Sequence, residues 1–210
     1  MRFAELDAVT VDGYGTLLTL VDPVPRLREA LAGRGVNRSP DEIRYAFATE
    51  VGYYRPRAHL ASTPTALAEL RRECTSVFLR ALDTPLPAVS FVDSFIAALE
   101  FGPVAGAVDA LERLAHRGLR LAVVANWDCG LGEHLERAGL DRYFDAVVTS
   151  AEAGTPKPAP AIFRLALARL AAEPARSIHI GDEDVDRDGA RAAGMLFAPA
   201  PLHTAVAGWT

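Results

Sequence analysis

An α/β fold with a parallel sheet and an inserted helical segment is what this sequence predicts, on three observations. From Pro103 onward, short apolar runs alternate with helical patterns. Strands alternating with helices make a parallel sheet with right-handed crossovers. One strand-like run, Ala8-Val9-Thr10-Val11, stands apart from the others near the start. Between it and the alternating region lie roughly eighty residues, in which only helical periodicity is found.

The first run ends in Asp12-Gly13-Tyr14-Gly15-Thr16-Leu17-Leu18, where two glycines break the strand and one carboxylate sits at its end. Ligands bind at the carboxyl ends of strands in open α/β sheets, so Asp12 is placed to act as a nucleophile or metal ligand. The simpler role for such a residue is to close a strand into a turn. The helical segment then begins near Pro25 and first stops at Gly33, Gly35 and Asn37. Ser39-Pro40-Asp41-Glu42 starts a helix to about Val51, with Ser39 as N-cap and Glu42 three residues on. Thr63-Pro64 starts another, whose apolar face carries Leu67, Leu70, Cys74, Val77, Phe78 and Ala81. Val89, Val92, Phe95, Ile96 and Leu99 mark one more.

The alternating region reads as helix 104–116, strand 119–125, helix 131–138, strand 146–149, loop 150–160, helix 161–170, strand 177–180, helix 189–193 and strand 195–198. The helix-ending glycines are Gly118, Gly139 and Gly194.

The chain has 210 residues, half of them apolar, and a formal net charge of −5. That length fits one domain, or a core with an inserted subdomain. No basic stripe favours a nucleic-acid partner. No spanning apolar segment or signal peptide is found, so a cytoplasmic protein off the membrane is expected. The two cysteines, Cys74 and Cys129, give no metal spacing or disulfide framework. Cys74 reads as core, and Cys129 follows a strand end near a potential site. Arginine greatly outnumbers lysine, which draws attention to Lys157.

The residues after successive strands are Asp12, then Asn126 with Asp128, then Lys157, then Asp182 with Glu183, Asp184 and Asp186. A parallel sheet puts these ends on one edge. Crowded carboxylates repel unless a cation sits among them. A hard ion such as Mg²⁺ takes a few carboxylate oxygens, water and substrate phosphate. Lys157 adds a second positive charge that can hold the nucleophile or pair with a substrate anion.

At these positions the chain resembles the haloacid dehalogenase superfamily of hydrolases. Asp12-Gly13-Tyr14-Gly15-Thr16-Leu17 is similar to the first motif of that family, and Val123-Val124-Ala125-Asn126 occupies the second. Gly154-Thr155-Pro156-Lys157-Pro158-Ala159-Pro160 resembles the third. Ile180-Gly181-Asp182, with Asp186 four residues on and Gly189-Ala190-Arg191-Ala192-Ala193-Gly194, matches the fourth. The resemblance implies a Rossmann-like three-layer core over residues 1–18 and 101–210, and a helical cap over 19–100. In phosphatase members it implies attack by Asp12, an aspartyl intermediate, and Mg²⁺ held by Asp12, Asp182 and the main-chain carbonyl of Tyr14. Tyr14, Asn126, Lys157 and Asp186 complete the implied catalytic set.

Two positions depart from the phosphatase pattern. A second Asp usually stands two residues after the nucleophile, to protonate the leaving alkoxide and activate water; here it is Tyr14. A phenol donates a hydrogen bond but is a poor base at neutral pH. Ala125 stands where Ser or Thr commonly binds the phosphoryl oxygen, and Asn126 is a partial replacement. The dehalogenase branch carries Tyr at the position of Tyr14, and a halide needs no proton to leave. Against that branch, Asp182 and Asp186 form the metal-binding type of fourth motif.

The favoured reading is therefore a Mg²⁺-dependent phosphatase of a small phosphorylated metabolite, monomeric or homodimeric. A 2-haloacid dehalogenase is the alternative, and a weakened member that binds a ligand or partner is the third. Arg55 and Arg57 are candidate anion-binding residues of the cap. His59 is read as a solvated histidine, with a proton-donor role as its alternative. Trp127 is expected to pack over the core, Asp128 to cap the next helix, and Asp188 to open the one after Asp182.

Overall fold

A computed structural model describes residues 5–209. In chain order, β1 (Ala8–Val11) and β2 (Leu18–Leu20) are followed by α1 (Val24–Ala32), α2 (Pro40–Tyr54), α3 (Pro64–Ala81) and α4 (Ala88–Ala98). Next come β3 (Phe101–Pro103), α5 (Ala107–His116), β4 (Arg120–Ala125), α6 (Leu131–Arg137), β5 (Ala146–Thr149) and α7 (Ser150–Ala153). The chain closes with α8 (Pro160–Leu170), β6 (Ser177–Gly181), α9 (Asp184–Ala192), β7 (Leu196–Pro199) and α10 (Leu202–Ala205).

The expected α/β architecture is present. Among the described residues, five strands form one parallel sheet in the order β5-β4-β1-β6-β7. β1 lies in the middle, with Val11 level with Val123 of β4 and Ile180 of β6. The ends of these three strands therefore meet at one point of the sheet edge. Alternation along each strand builds a layer of helices on either face. Val9, Val11, Leu121, Val123, Ile178 and Ile180 pack toward α5, α6 and α10. Ala8, Ala122 and Val124 pack toward Ile162, Phe163 and Ala166 of α8 and Ala190 of α9.

The helices α1 to α4 share a core of their own. Leu27, Leu31, Ile43 and Phe78 are fully buried in it, and the Phe78 ring lies 5.0 Å from that of Phe95. Ser39 and Glu42 form the expected capping box of α2, and Thr63 caps α3.

Several expectations are corrected. β2 and β3 pair antiparallel, Leu18 opposite Pro103, as a short ribbon where the helical segment leaves and rejoins the sheet. Three-residue strands containing Gly102 and Pro103 carry no period-2 signal. α5 starts at Ala107, not 104, because the Val104 N–H is used by Leu17 O at 2.9 Å. α9 starts at Asp184, five residues before the predicted start. The Asp186 carboxylate and the Glu183 backbone cap its first turn. Asp188 thus lies inside α9, paired with Arg187 at 3.1 Å, and opens no helix. The predicted loop 150–160 begins with the short α7, capped by Thr149. No described helix is long and apolar enough to cross a membrane.

Candidate active site

Asp12 follows β1 directly, and its backbone N–H donates to Ile180 O at 2.9 Å. The carboxylate is thereby fixed where β1 passes β6, and it is buried. Lys157, the single lysine of the chain, comes from the loop between α7 and α8. Asn126 clamps that loop: its Oδ1 accepts from Lys157 N–H at 2.7 Å, and its Nδ2 donates to Lys157 O at 3.3 Å. The buried Lys157 ammonium donates to Asp12 Oδ1 and, at 2.6 Å, to Asp186 Oδ1.

Behind this pair lies His179, in the middle of β6 and fully buried. Its Nε2 is 2.9 Å from Asp186 Oδ1, and its Nδ1 is 2.8 Å from Thr10 Oγ1. The Asp186 oxygen requires a proton on Nε2, so Nδ1 accepts from the Thr10 hydroxyl and the ring is neutral. Burial pushes the His179 pKa down, in agreement with that tautomer. Burial would raise Asp186, but the His179 hydrogen bond and the Lys157 charge outweigh it and hold the carboxyl at about 2. Lys157 is raised: burial works against its charge, and Asp12 and Asp186 more than compensate. Asp12 has less help. Burial pushes its carboxyl up to about 7 against the pull of Lys157, with Asp186 and Asp182 adding to the rise.

Asp182 completes the cluster from the end of β6. It is exposed, and Thr16 Oγ1 donates to its Oδ1 at 3.3 Å. Gly15, at φ +85°, leaves the space this carboxylate occupies; a Cβ there would collide with it. Oxygens of Asp12, Asp182 and Asp186 all lie within 4.8 Å of one another. An all-oxygen donor set of this kind fits a hard divalent cation. Both oxygens of Asp186 are engaged, by Lys157, His179 and the Glu183 N–H, whereas Asp12 and Asp182, bonded through Oδ1 to Lys157 and Thr16, each keep a second oxygen to hold one.

A cavity of about 280 Å³ opens from Asp12 and Lys157 toward the helices α2, α3 and α4. Tyr14, 44% exposed, lines it, as does Asn126. Trp127 both packs in the core and lines the cavity. Arg55 lines it too, 3.7 Å from Glu183, whereas Arg57 stacks on the Tyr53 ring at 3.8 Å and is not part of the lining. His59 and the exposed Cys129 also lie outside the lining. Asp128 caps no helix. It accepts from Gly130 N–H and from Tyr54 OH, both at 2.7 Å, and so ties the end of α2 to the sheet edge.

Sequence reasoning passed over His179, Thr16 and Glu50. His179 carried a signal, being a polar residue in the middle of an apolar strand. Glu50 carried one as well, since it continues the buried face of Ile43 and Ala46 at helical spacing. Its side chain lines the cavity and is buried. Burial pushes the Glu50 carboxyl up to about 7, only partly opposed by a hydrogen bond with Cys74. A carboxyl whose folded pKa exceeds its unfolded value stabilises the fold least when ionised. Its contribution is therefore expected to fall as pH rises from about 4.5 to about 7, by about 3 kcal/mol in all. Urea denaturation across that window should show a slope in the wild type that is reduced in Glu50→Gln.

A sequence model of the haloacid dehalogenase-like hydrolase family matches residues 6–194. The chain belongs to this family. Among curated relatives, the chain is 48% identical over 106 residues to haloacid dehalogenase-like hydrolase domain-containing protein 3 of Bos taurus, covering 48% of this chain and 42% of that protein. It thus spans less than half the length of that relative. It is 31% identical over 192 residues to ribulose-1,5-bisphosphate 5-phosphatase of Halopiger xanaduensis, covering 84% and 80%. In fold, the chain matches L-2-haloacid dehalogenase of Xanthobacter autotrophicus with TM-score 0.70, 23% identity and coverage of 96% and 87%.

Proposed function

We propose that this hydrolase is a Mg²⁺-dependent phosphatase of a small phosphorylated molecule, working through an aspartyl-phosphate on Asp12. The observation that carries the reading is the convergence of Asp12, Asp182 and Asp186 within 4.8 Å beside Lys157. Relatives named as phosphatases support it, among them the Halopiger enzyme and a glyceraldehyde 3-phosphate phosphatase of Methanopyrus kandleri.

Asp12 is the nucleophile, held at the end of a central strand by Lys157. Its oxygen bonds to phosphorus as the bond to the leaving oxygen breaks; water then attacks phosphorus and releases the carboxylate. Lys157 keeps positive charge beside the reacting oxygens throughout. Asp186, supported by His179, fixes the ammonium, and Asn126 fixes the loop that carries it. Asp12, Asp182 and the main-chain carbonyl of Tyr14 would hold Mg²⁺, which when bound favours the ionised nucleophile and offsets phosphoryl charge. The segment 19–100 serves as a cap over the cavity.

Phosphate release from 4-nitrophenyl phosphate is expected with Mg²⁺ and not with excess chelator. Activity that survives chelation contradicts the reading. Tyr14 favours one second reading, cleavage of a carbon–halogen bond. Halide liberated from 2-chloropropionate in the presence of chelator would establish it in place of the first.

A further inference from the structure

The cavity above Asp12 has a composition at odds with a polyhydroxylated guest. From the cap side it is walled by Phe47, Val51, Leu67, Leu70, Ile96 and Leu99. From the sheet side come Leu20, Phe101 and Trp127. Tyr54, Arg55, Arg71, Asn126 and His134 add polar groups to the lining, but a hydroxyl brought against the apolar part gives up water and gains no partner. At about 280 Å³ the space lies near the lower end for ligand pockets, roughly 300–1,000 Å³, and suits one ring with a substituent.

The chemistry at the floor narrows the guest further. Tyr14, a phenol and not a carboxylic acid, lines the cavity two residues after Asp12. Of the remaining carboxyls of the wall, Asp128 is engaged by Tyr54 and Gly130 and Glu183 by Arg55, and Glu50 comes from α2 on the cap side. A leaving group that departs carrying the electron pair of the broken phosphorus–oxygen bond, unprotonated, suits this floor. Phenolates do this readily and alkoxides do not.

Glu50 stands among the apolar residues of the cap-side wall as a buried carboxyl. It is 5% exposed, lines the cavity, and among the described residues makes no ion pair; Cys74 is its side-chain partner. A buried carboxyl that makes no ion pair and faces a binding cavity, one that Arg55 and Arg71 also line, is a site for recognition.

We propose that the cavity binds phosphomonoesters of a small aromatic alcohol, and that Glu50 is the specificity-determining residue, hydrogen-bonding one polar substituent on the ring. This rests on the phosphatase reading and specifies its substrate class. Asp12 displaces the phenolate, and water then adds to phosphorus, yields phosphate and returns the Asp12 carboxylate.

The test measures kcat/KM of the full chain with Mg²⁺. The panel is substituted phenyl phosphates, the three hydroxyphenyl phosphates, glycerol 3-phosphate and glyceraldehyde 3-phosphate. Aryl substrates should exceed the other two by about 10²-fold or more, the worth of a missing general acid, with rates rising steeply as the phenol becomes more acidic. In Glu50→Leu the ratio of the best hydroxyphenyl phosphate to phenyl phosphate should fall about tenfold, the worth of one hydrogen bond, with partial recovery in Glu50→Gln. Glyceraldehyde 3-phosphate turned over as well as the aryl substrates overturns the substrate class and leaves the phosphatase reading standing. An unchanged ratio in Glu50→Leu overturns the role of Glu50. No phosphate from any substrate overturns both readings.

Discussion

Asp12→Asn is expected to lower kcat/KM for 4-nitrophenyl phosphate by about four orders of magnitude or more, the scale on which loss of a nucleophile acts. The amide is nearly isosteric, so Lys157, Asp186 and Asp182 keep their places. It cannot form the aspartyl-phosphate. The fold loses little, because the buried carboxylate is itself penalised by desolvation, which lifts it to about 7. Lys157 retains its bond to Asp186 at 2.6 Å. Urea denaturation should place the variant within about 2 kcal/mol of the wild type. A large loss of activity with an intact fold separates chemistry from structure at this position.

Lys157→Met should cost stability as well as activity. The ammonium is the shared partner of Asp12 and Asp186, and all three are buried. Removing it leaves two carboxylates facing each other in a low dielectric. Breaking a buried pair from one side costs about 3–5 kcal/mol. The urea midpoint should fall accordingly, and activity should be lost even where the protein remains folded. The double variant Lys157→Met with Asp12→Asn should recover part of that stability, because one stranded charge is gone. A Lys157→Met protein as stable as the wild type would show that the triad does not bear on folding.

The strand ends were legible in the sequence because backbone and side chain obey the same constraint there. Asp12, Asn126 and Asp182 each follow an apolar run, and parallel pairing brings such ends together whatever the details of packing. Lys157 was legible through its rarity and its place after β5. The helical segment resisted reading for a physical reason. Periodicity shows which face of a helix is apolar, but the same face of α2 carries Ile43 into the core of the segment and Glu50 to the cavity. Which of the two a residue meets depends on how α2 and α3 pack, and no local rule contains that. The start of α9 was hidden because Glu183, Asp184 and Asp186 look like a charged site loop. In the fold Asp186 both caps the helix and holds Lys157. The partners of His179 were hidden because its hydrogen bonds join residues 169 apart, to Thr10, and seven apart, to Asp186.

The central claim is a covalent intermediate on Asp12, and its most direct test is to catch it. The protein would be mixed with 4-nitrophenyl phosphate and Mg²⁺, quenched in acid within the turnover time, and digested for peptide mass spectrometry. Parallel turnovers in ¹⁸O-labelled water report where the second bond is made. The account predicts a phosphoryl group on Asp12 that is absent when chelator is present, and heavy oxygen in the released phosphate. Heavy oxygen in the Asp12 carboxylate, the mark of water attacking carbon in an ester intermediate, would contradict it, as would turnover with Asp12 unmodified.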